Sequence, residues 1–188
     1  TDGSALLMTM IYTMQSSGMW KTSMGSNLLD GGSHFYDTYE CKDGKFISLG
    51  SIEPQFYALL CQIAELDESI FGNQMSRDSW PEQKEAIKKI ILDKTRDEWC
   101  ELMEGTDVCF APVLDMSEAP KHPHNVERKT FIDLEGVTQP APAPRFSRTE
   151  PEVVSSPSVV GEHTDEVLAS IGFSDEDINT LKTSGAVA

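Results

Sequence analysis

Glu53 stands in LGSIEPQFYALL, residues 49–60, between an apolar run that ends at Gly50 and an apolar segment that begins after Pro54. A carboxylate fixed at such a junction can orient a histidine and hold its charged form, which is acid–base chemistry. The same residue can serve as a helix start, where the macrodipole and the orphan N–H groups favour negative charge. Pattern alone favours the structural use, because no imidazole or second carboxylate that would pair with Glu53 is identifiable nearby in sequence. His122 and His124, in APKHPHNVER, are spaced as metal ligands could be, but no cysteine or carboxylate completes a set at familiar spacing, so they read as a surface loop. His163, in VVGEHTDEVL, precedes Thr164, which is expected to cap a helix carrying Val167 and Leu168. Helix-start architecture is the plainer reading of His163, and a place at a cofactor or partner surface is the alternative.

The cysteines, Cys41, Cys61, Cys100 and Cys109, form no C-x-x-C pair, which argues against zinc. Cys61, Cys100 and Cys109 fall in apolar or helical patterns and read as core thiols, consistent with a reducing compartment. There is no G-x-S-x-G elbow, no G-x-x-x-x-G-K-[ST] and no G-x-G-x-x-G. Trp20, Trp80 and Trp99 show no stacking pattern and read as packing residues.

The elements that would carry these residues follow from periodicity. Residues 4–14, SALLMTMIYTM, are apolar nearly all round at helical spacing, so that helix is expected to be buried on most sides, by a partner outside this chain. Residues 15–33 are rich in Ser, Gly and Met and read as hinge-like, with LLDGG as a turn. HFYDTYEC and KFISLG read as two strands joined at Lys42, Asp43 and Gly44, since Asp-Gly between alternating apolar runs signals a hairpin. Pro54 opens a helix at its first position. Residues 81–94 are amphipathic around Ile87, Ile90 and Ile91, and Thr95 with Glu98 predicts a capping box. Residues 108–114 read as a short strand or extended run broken by Pro112, and 136–160, which hold half of the prolines, read as an extended arm. Two short helices close the chain, around 164–171 and 174–181, with Gly172 ending the first and Ser174 capping the second.

At 188 residues the chain can bury a core. No apolar run approaches a membrane span, and no basic-then-apolar start suggests a signal peptide. It opens at Thr1 without an initiator Met, which reads as a processed product or a piece of a longer protein. The net charge of −16 argues against nucleic acid, which needs a cationic face, and against this segment alone holding a polyanionic cofactor.

LLDGG-x-HFYDTY, DGKFISLGSIEPQFY, DEWCELMEGTDVCFAPVL, HPHNVER and VVGEHTDEVL closely resemble the α-methylacyl-CoA racemases of the family III CoA-transferase group, and the similarity runs along almost the whole chain. The resemblance implies an α/β (α+β) fold in an interlocked homodimer. Residues 1–33 would be a helix and linker of a Rossmann-like large domain, 34–115 the small domain, and 116–188 a segment returning to the large domain. Family members are longer, and their catalytic histidine and aspartate would precede Thr1. This chain would then be the C-terminal part, inactive alone. Glu53 matches the glutamate that approaches the catalytic histidine, and Gly50 and Ile52 would set the backbone approach to the acyl-thioester. The implied reaction inverts the carbon α to a thioester in a 2-methylacyl-CoA through an enolate. It needs no metal or redox cofactor, coenzyme A being part of the substrate. The setting would be intracellular: peroxisome or mitochondrion in a eukaryote, cytoplasm in a bacterium. CoA transfer between acids, through a covalent aspartate, is the rival within the family, and a non-catalytic interaction fragment is the rival outside it.

Overall fold

The structure, a computed structural model, describes residues 1–153 and 155–187. It is a mixed α/β chain of two compact units, Thr1–Asp115 and Met116–Ala188.

The first unit opens with α1 (Asp2–Leu7) and α2 (Thr9–Ser16), separated at Met8. Neither buries a residue, and Leu6, Leu7, Met10 and Tyr12 are exposed. The expected burial is therefore not met within this chain: periodicity sets the helical conformation, whereas burial depends on what packs against it. The stretch that reads as hinge-like ends in a tightly bonded turn. The Asn27 side chain is buried, donating to the Lys21 carbonyl (2.9 Å) and Asp30 Oδ2 (2.7 Å) and accepting from the Lys21 N–H (2.7 Å). A Cβ at Gly32 would lie 2.5 Å from the Asn27 backbone nitrogen, so the turn requires glycine there.

β1 (Tyr36–Glu40) and β2 (Phe46–Gly50) form the expected hairpin, with Tyr36 opposite Gly50 and Glu40 opposite Phe46. Gly44 takes the left-handed φ of +74° that the turn needs. Alternation sends Tyr39, Ile47 and Leu49 to the core. Next come α3 (Pro54–Ile63), α4 (Glu68–Phe71), α5 (Trp80–Ile91) and α6 (Arg96–Met103). α5 buries Trp80, Gln83, Ile87 and Ile91 along one stripe, and α6 starts with the Thr95–Glu98 capping box. β3 (Phe110–Val113) pairs antiparallel with β2 to give the order β1-β2-β3. Pro112 sits within β3 rather than ending it, because β3 is an edge strand and a missing donor can face outward there.

His34, fully buried, lies edge-on to Phe35 and Tyr57 in the core that Phe71 and Trp80 complete. The Tyr57 hydroxyl donates its single proton to the Phe71 carbonyl (2.8 Å), so it accepts from His34 Nε2–H (2.8 Å). His34 Nδ1 then has no partner. Burial pushes the His34 pKa down from 6.5 to about 4. The folded state keeps this ring neutral while the unfolded chain protonates it, so its contribution is present above pH 6.5 and is lost as pH falls toward 4. The expected loss is about 3 kcal/mol across that window. Urea unfolding at the two ends, compared with His34→Gln, checks it: the substituted chain should lack this part of the pH dependence.

The second unit holds a 3₁₀ turn at Ala119–Lys121, α7 (Pro123–Glu127), β4 (Phe131–Leu134), β5 (Val137–Pro140), α8 (Thr164–Ser170) and α9 (Asp175–Thr183). The expected extended arm is corrected at its start, since residues 137–140 pair with β4 in an antiparallel hairpin. Its turn is Glu135-Gly136, both at positive φ (+53° and +84°), the acidic-Gly signature again. Val154, also in that arm, lies outside the described residues. Ser174 caps α9 as expected, in a capping box with Asp177. Among the described residues no helix is long and apolar enough to cross a membrane.

Candidate active site

Glu53 occupies the N-cap position of α3 in extended backbone (φ −71°, ψ 142°), and Pro54 follows at the helix start. The Glu53 carbonyl accepts from the Phe56 and Tyr57 N–H groups, both at 3.0 Å. Its side chain makes no capping hydrogen bond and is exposed. The helix therefore uses the backbone of Glu53, which any residue would supply, and leaves the carboxylate uncommitted.

The segment that carries it is held closely. The Gly50 N–H donates to the Cys109 carbonyl (2.8 Å), and the Ser51 N–H to that of Phe35 (3.0 Å). The Ser51 hydroxyl, buried, donates to the Val108 carbonyl (2.5 Å), and the Ile52 N–H to that of Gly50 (2.8 Å). Gln74 Nε2 donates to the Ser51 (3.0 Å) and Ile52 (2.9 Å) carbonyls. The N–H groups of Gly50 and Ile52 are thus both engaged, so these residues offer shape rather than donors. The Ile52 side chain packs on the core.

Gly50 lines a cleft of about 510 Å³ that opens beside the sheet, and Glu53 and Ile52 are not among its lining residues. Tyr36, Leu49 and Phe110 give it an apolar wall, and Asp30 and Asp37 an acidic side. Lys84 pairs with Asp37 (2.5 Å) and also donates to the Gly31 carbonyl. A Cβ at Gly50 would meet the Cys109 carbonyl at 3.5 Å, an ordinary contact, so the glycine serves to keep this rim open rather than to relieve a clash.

Cys109 also lines the cleft and corrects a sequence expectation. It is exposed and adopts a left-handed φ of +56°, instead of lying in the core with Val108. Val108 takes the buried side, and the left-handed turn at Cys109, just before β3, leaves its side chain outside. Desolvation raises the Cys109 thiol pKa, and the carboxylates of Glu53 and Asp107 raise it further. The charge of Glu53 thus acts on a thiol that lines the cleft, although Glu53 itself does not line it. Cys61 and Cys100 are half-buried, and Cys41 is the cysteine in the core.

His122, His124 and His163 belong to the second unit. His122 caps α7 and His124 lies inside it, so the expected loop is a short helix. His163, not Thr164, occupies the N-cap position of α8, because the helix starts one residue earlier than expected. Its Nδ1 is 3.9 Å from the Glu166 carboxylate. Among the described residues no three His, Cys, Asp or Glu side chains are grouped to hold a metal ion. Ser51 and Gln74 are absent from the sequence reading, and Cys109 is present there only as a core thiol. A small polar residue closing the apolar run FISLGS was a faint signal for Ser51, and nothing adjacent in sequence marks Gln74.

Residues 2–164 match CoA-transferase family III. The chain belongs to that family. As a family III chain it is 46% identical over 189 residues to α-methylacyl-CoA racemase of Mus musculus, covering 99% of this chain and 49% of that protein. It is 42% identical to α-methylacyl-CoA racemase of Homo sapiens, covering 97% of this chain and 48% of that protein. It spans about half the length of these curated relatives. The crystal structure of Rv3272 from M. tuberculosis shares its fold, with a TM-score of 0.56 at 18% identity over 69% of this family III chain and 37% of the other.

Proposed function

We propose that this chain is the C-terminal part of an α-methylacyl-CoA racemase, interconverting (R)- and (S)-2-methylacyl-CoA thioesters. The observation that carries this reading is the Glu53 carboxylate, uncommitted at a helix N-cap on a closely held segment beside a cleft. The 42–46% identity to proteins named as racemases supports the racemase branch over CoA transfer.

Inversion requires removal of the α-proton to give an enolate, then return of a proton on the opposite face, so two groups on opposite sides take part. The enolate oxygen needs preorganised donors. The acid–base histidine and aspartate belong to the half of the enzyme that precedes Thr1. Glu53 orients that imidazole and favours its protonated form, across the boundary between two subunits of a homodimer. Gly50 and the backbone at Ile52 shape the approach of the acyl-thioester. The apolar wall of the cleft suits an acyl tail, whereas Asp30 and Asp37 repel the phosphates of coenzyme A, which the other half would hold. This chemistry uses no metal or redox group beyond the coenzyme A of the substrate. The compartment follows the host: peroxisome or mitochondrion in a eukaryote, cytoplasm in a bacterium.

The test is α-proton exchange. A 2-methylacyl-CoA in deuterated water should gain deuterium when this chain is supplied with its upstream half, and not with this chain alone. Exchange by neither would overturn the reading. Exchange by this chain alone would place the acid–base pair within residues 1–188. Transfer of coenzyme A to a free acid without α-exchange would favour the transferase.

A further inference from the structure

We propose that Gln74 is the positioning residue for Glu53: its side-chain amide clamps the Ser51 and Ile52 carbonyls and so fixes the segment from which the carboxylate acts. The reaction this serves rests on the racemase reading above.

A primary amide has two N–H donors on one nitrogen. Gln74 Nε2 spends both on successive carbonyls, at 3.0 and 2.9 Å, immediately before Glu53. Those carbonyls lie in a three-residue connection from β2 to α3, where neither sheet nor helix supplies a regular ladder. Gln74 comes from a distant loop that is itself anchored. Its carbonyl accepts from Trp80 Nε1 (2.8 Å), and Trp80 is buried. The buried Gln83 amide donates to the Ile70 carbonyl (2.9 Å) and the Asn73 carbonyl (3.3 Å). The Tyr57 hydroxyl holds the Phe71 carbonyl (2.8 Å), and the Tyr57 N–H bonds back to the Glu53 carbonyl. α5 therefore fixes the loop, the loop fixes Gln74, and Gln74 with Tyr57 grips the backbone on both sides of Glu53. Gln74 is half-buried, and its amide end makes both of these hydrogen bonds.

Cys109 supplies a readout that does not depend on turnover. Its thiol senses the Glu53 charge together with that of Asp107, so its alkylation rate reports where the Glu53 carboxylate sits. In this chain, iodoacetamide labelling of Cys109 is followed by peptide mass spectrometry near pH about 8, for the parent, Glu53→Gln, Gln74→Met and the double substitution. Glu53→Gln is expected to speed labelling about twofold by removing a nearby negative charge. In the Gln74→Met background the same substitution should change little, because the carboxylate is no longer held in place. Gln74→Leu serves in the same cycle where the Met variant does not fold. An undiminished Glu53 effect in the Gln74 variants would overturn the proposal. An unchanged rate in Glu53→Gln itself would take the carboxylate away from Cys109 and overturn it too.

A second arm separates this from the function. With the upstream half present, Gln74→Met should lower kcat for α-exchange about tenfold to a hundredfold with KM little changed. A raised KM at unchanged kcat would make Gln74 a binding residue and overturn the positioning role. Absence of exchange in the unsubstituted enzyme would overturn the racemase reading alone, and the labelling cycle would still decide the role of Gln74.

Discussion

Glu53→Gln is expected to slow α-proton exchange by about a thousandfold, the middle of the range for loss of acid–base assistance, with the fold unchanged. The substitution keeps the size and the amide-capable oxygen but removes the charge. A neutral amide no longer favours the imidazolium over the imidazole, so the histidine it faces loses both orientation and electrostatic support. Stability should be nearly unaffected, because the carboxylate makes no capping hydrogen bond that the substitution could break. What remains is its interaction with the helix dipole, worth about 0.3–1 kcal/mol at an exposed site. Exchange kinetics and thermal melting on the same preparation separate the two uses of Glu53. A near-normal exchange rate would return Glu53 to a purely structural role, and a large fall in melting temperature would show that the carboxylate supports the helix after all.

Trp99→Ala is expected to destabilise the first unit by about 3–5 kcal/mol. The ring is fully buried, and α6, which carries it, lies against β2 and β3. Its Nε1–H donates to the Ile91 carbonyl at the end of α5 (2.9 Å), and Lys94 lies 4.6 Å from the ring centroid. Truncation removes a large, fully buried ring, leaves a cavity, and takes the stronger of two donors from the Ile91 carbonyl, which keeps the Lys94 N–H at 3.4 Å. A domain of ordinary stability holds about 5–15 kcal/mol in all, so the loss should appear as a markedly lower urea midpoint. Trp99→Phe keeps most of the packing and should cost about 0.5–1.5 kcal/mol, chiefly the lost indole hydrogen bond. Equal effects of the two substitutions would mean that the hydrogen bond, not the ring volume, holds α6 in place.

Much of the local structure was legible in the residues. Asp43-Gly44 between alternating apolar runs marked the first hairpin, Thr95 with Glu98 marked a capping box, and Pro54 marked the start of α3. Each of these signals is satisfied by groups a few residues apart, so a short window contains the whole physical cause. The second hairpin was missed although Glu135-Gly136 also sets a left-handed glycine after an acidic residue, because the prolines around it read as an arm. The motifs from LLDGG to GEHT also identified the family, which residues 2–164 match.

Sequence by itself thus determined the longer helices, the first hairpin, two capping boxes at Thr95 and Ser174, and the membership of CoA-transferase family III, since propensity, turn chemistry and capping act over a few residues. Tertiary structure decided the rest. It put Cys109 on the surface within reach of the charge of Glu53, because the chain takes a left-handed φ there, just before β3 begins at Phe110. It brought Gln74 to the carbonyls of Ser51 and Ile52 across more than twenty residues of chain. It left the Glu53 side chain free of the helix it begins. These three outcomes depend on the partners that the fold brings within hydrogen-bond or Coulomb distance, and no local pattern encodes such a partner.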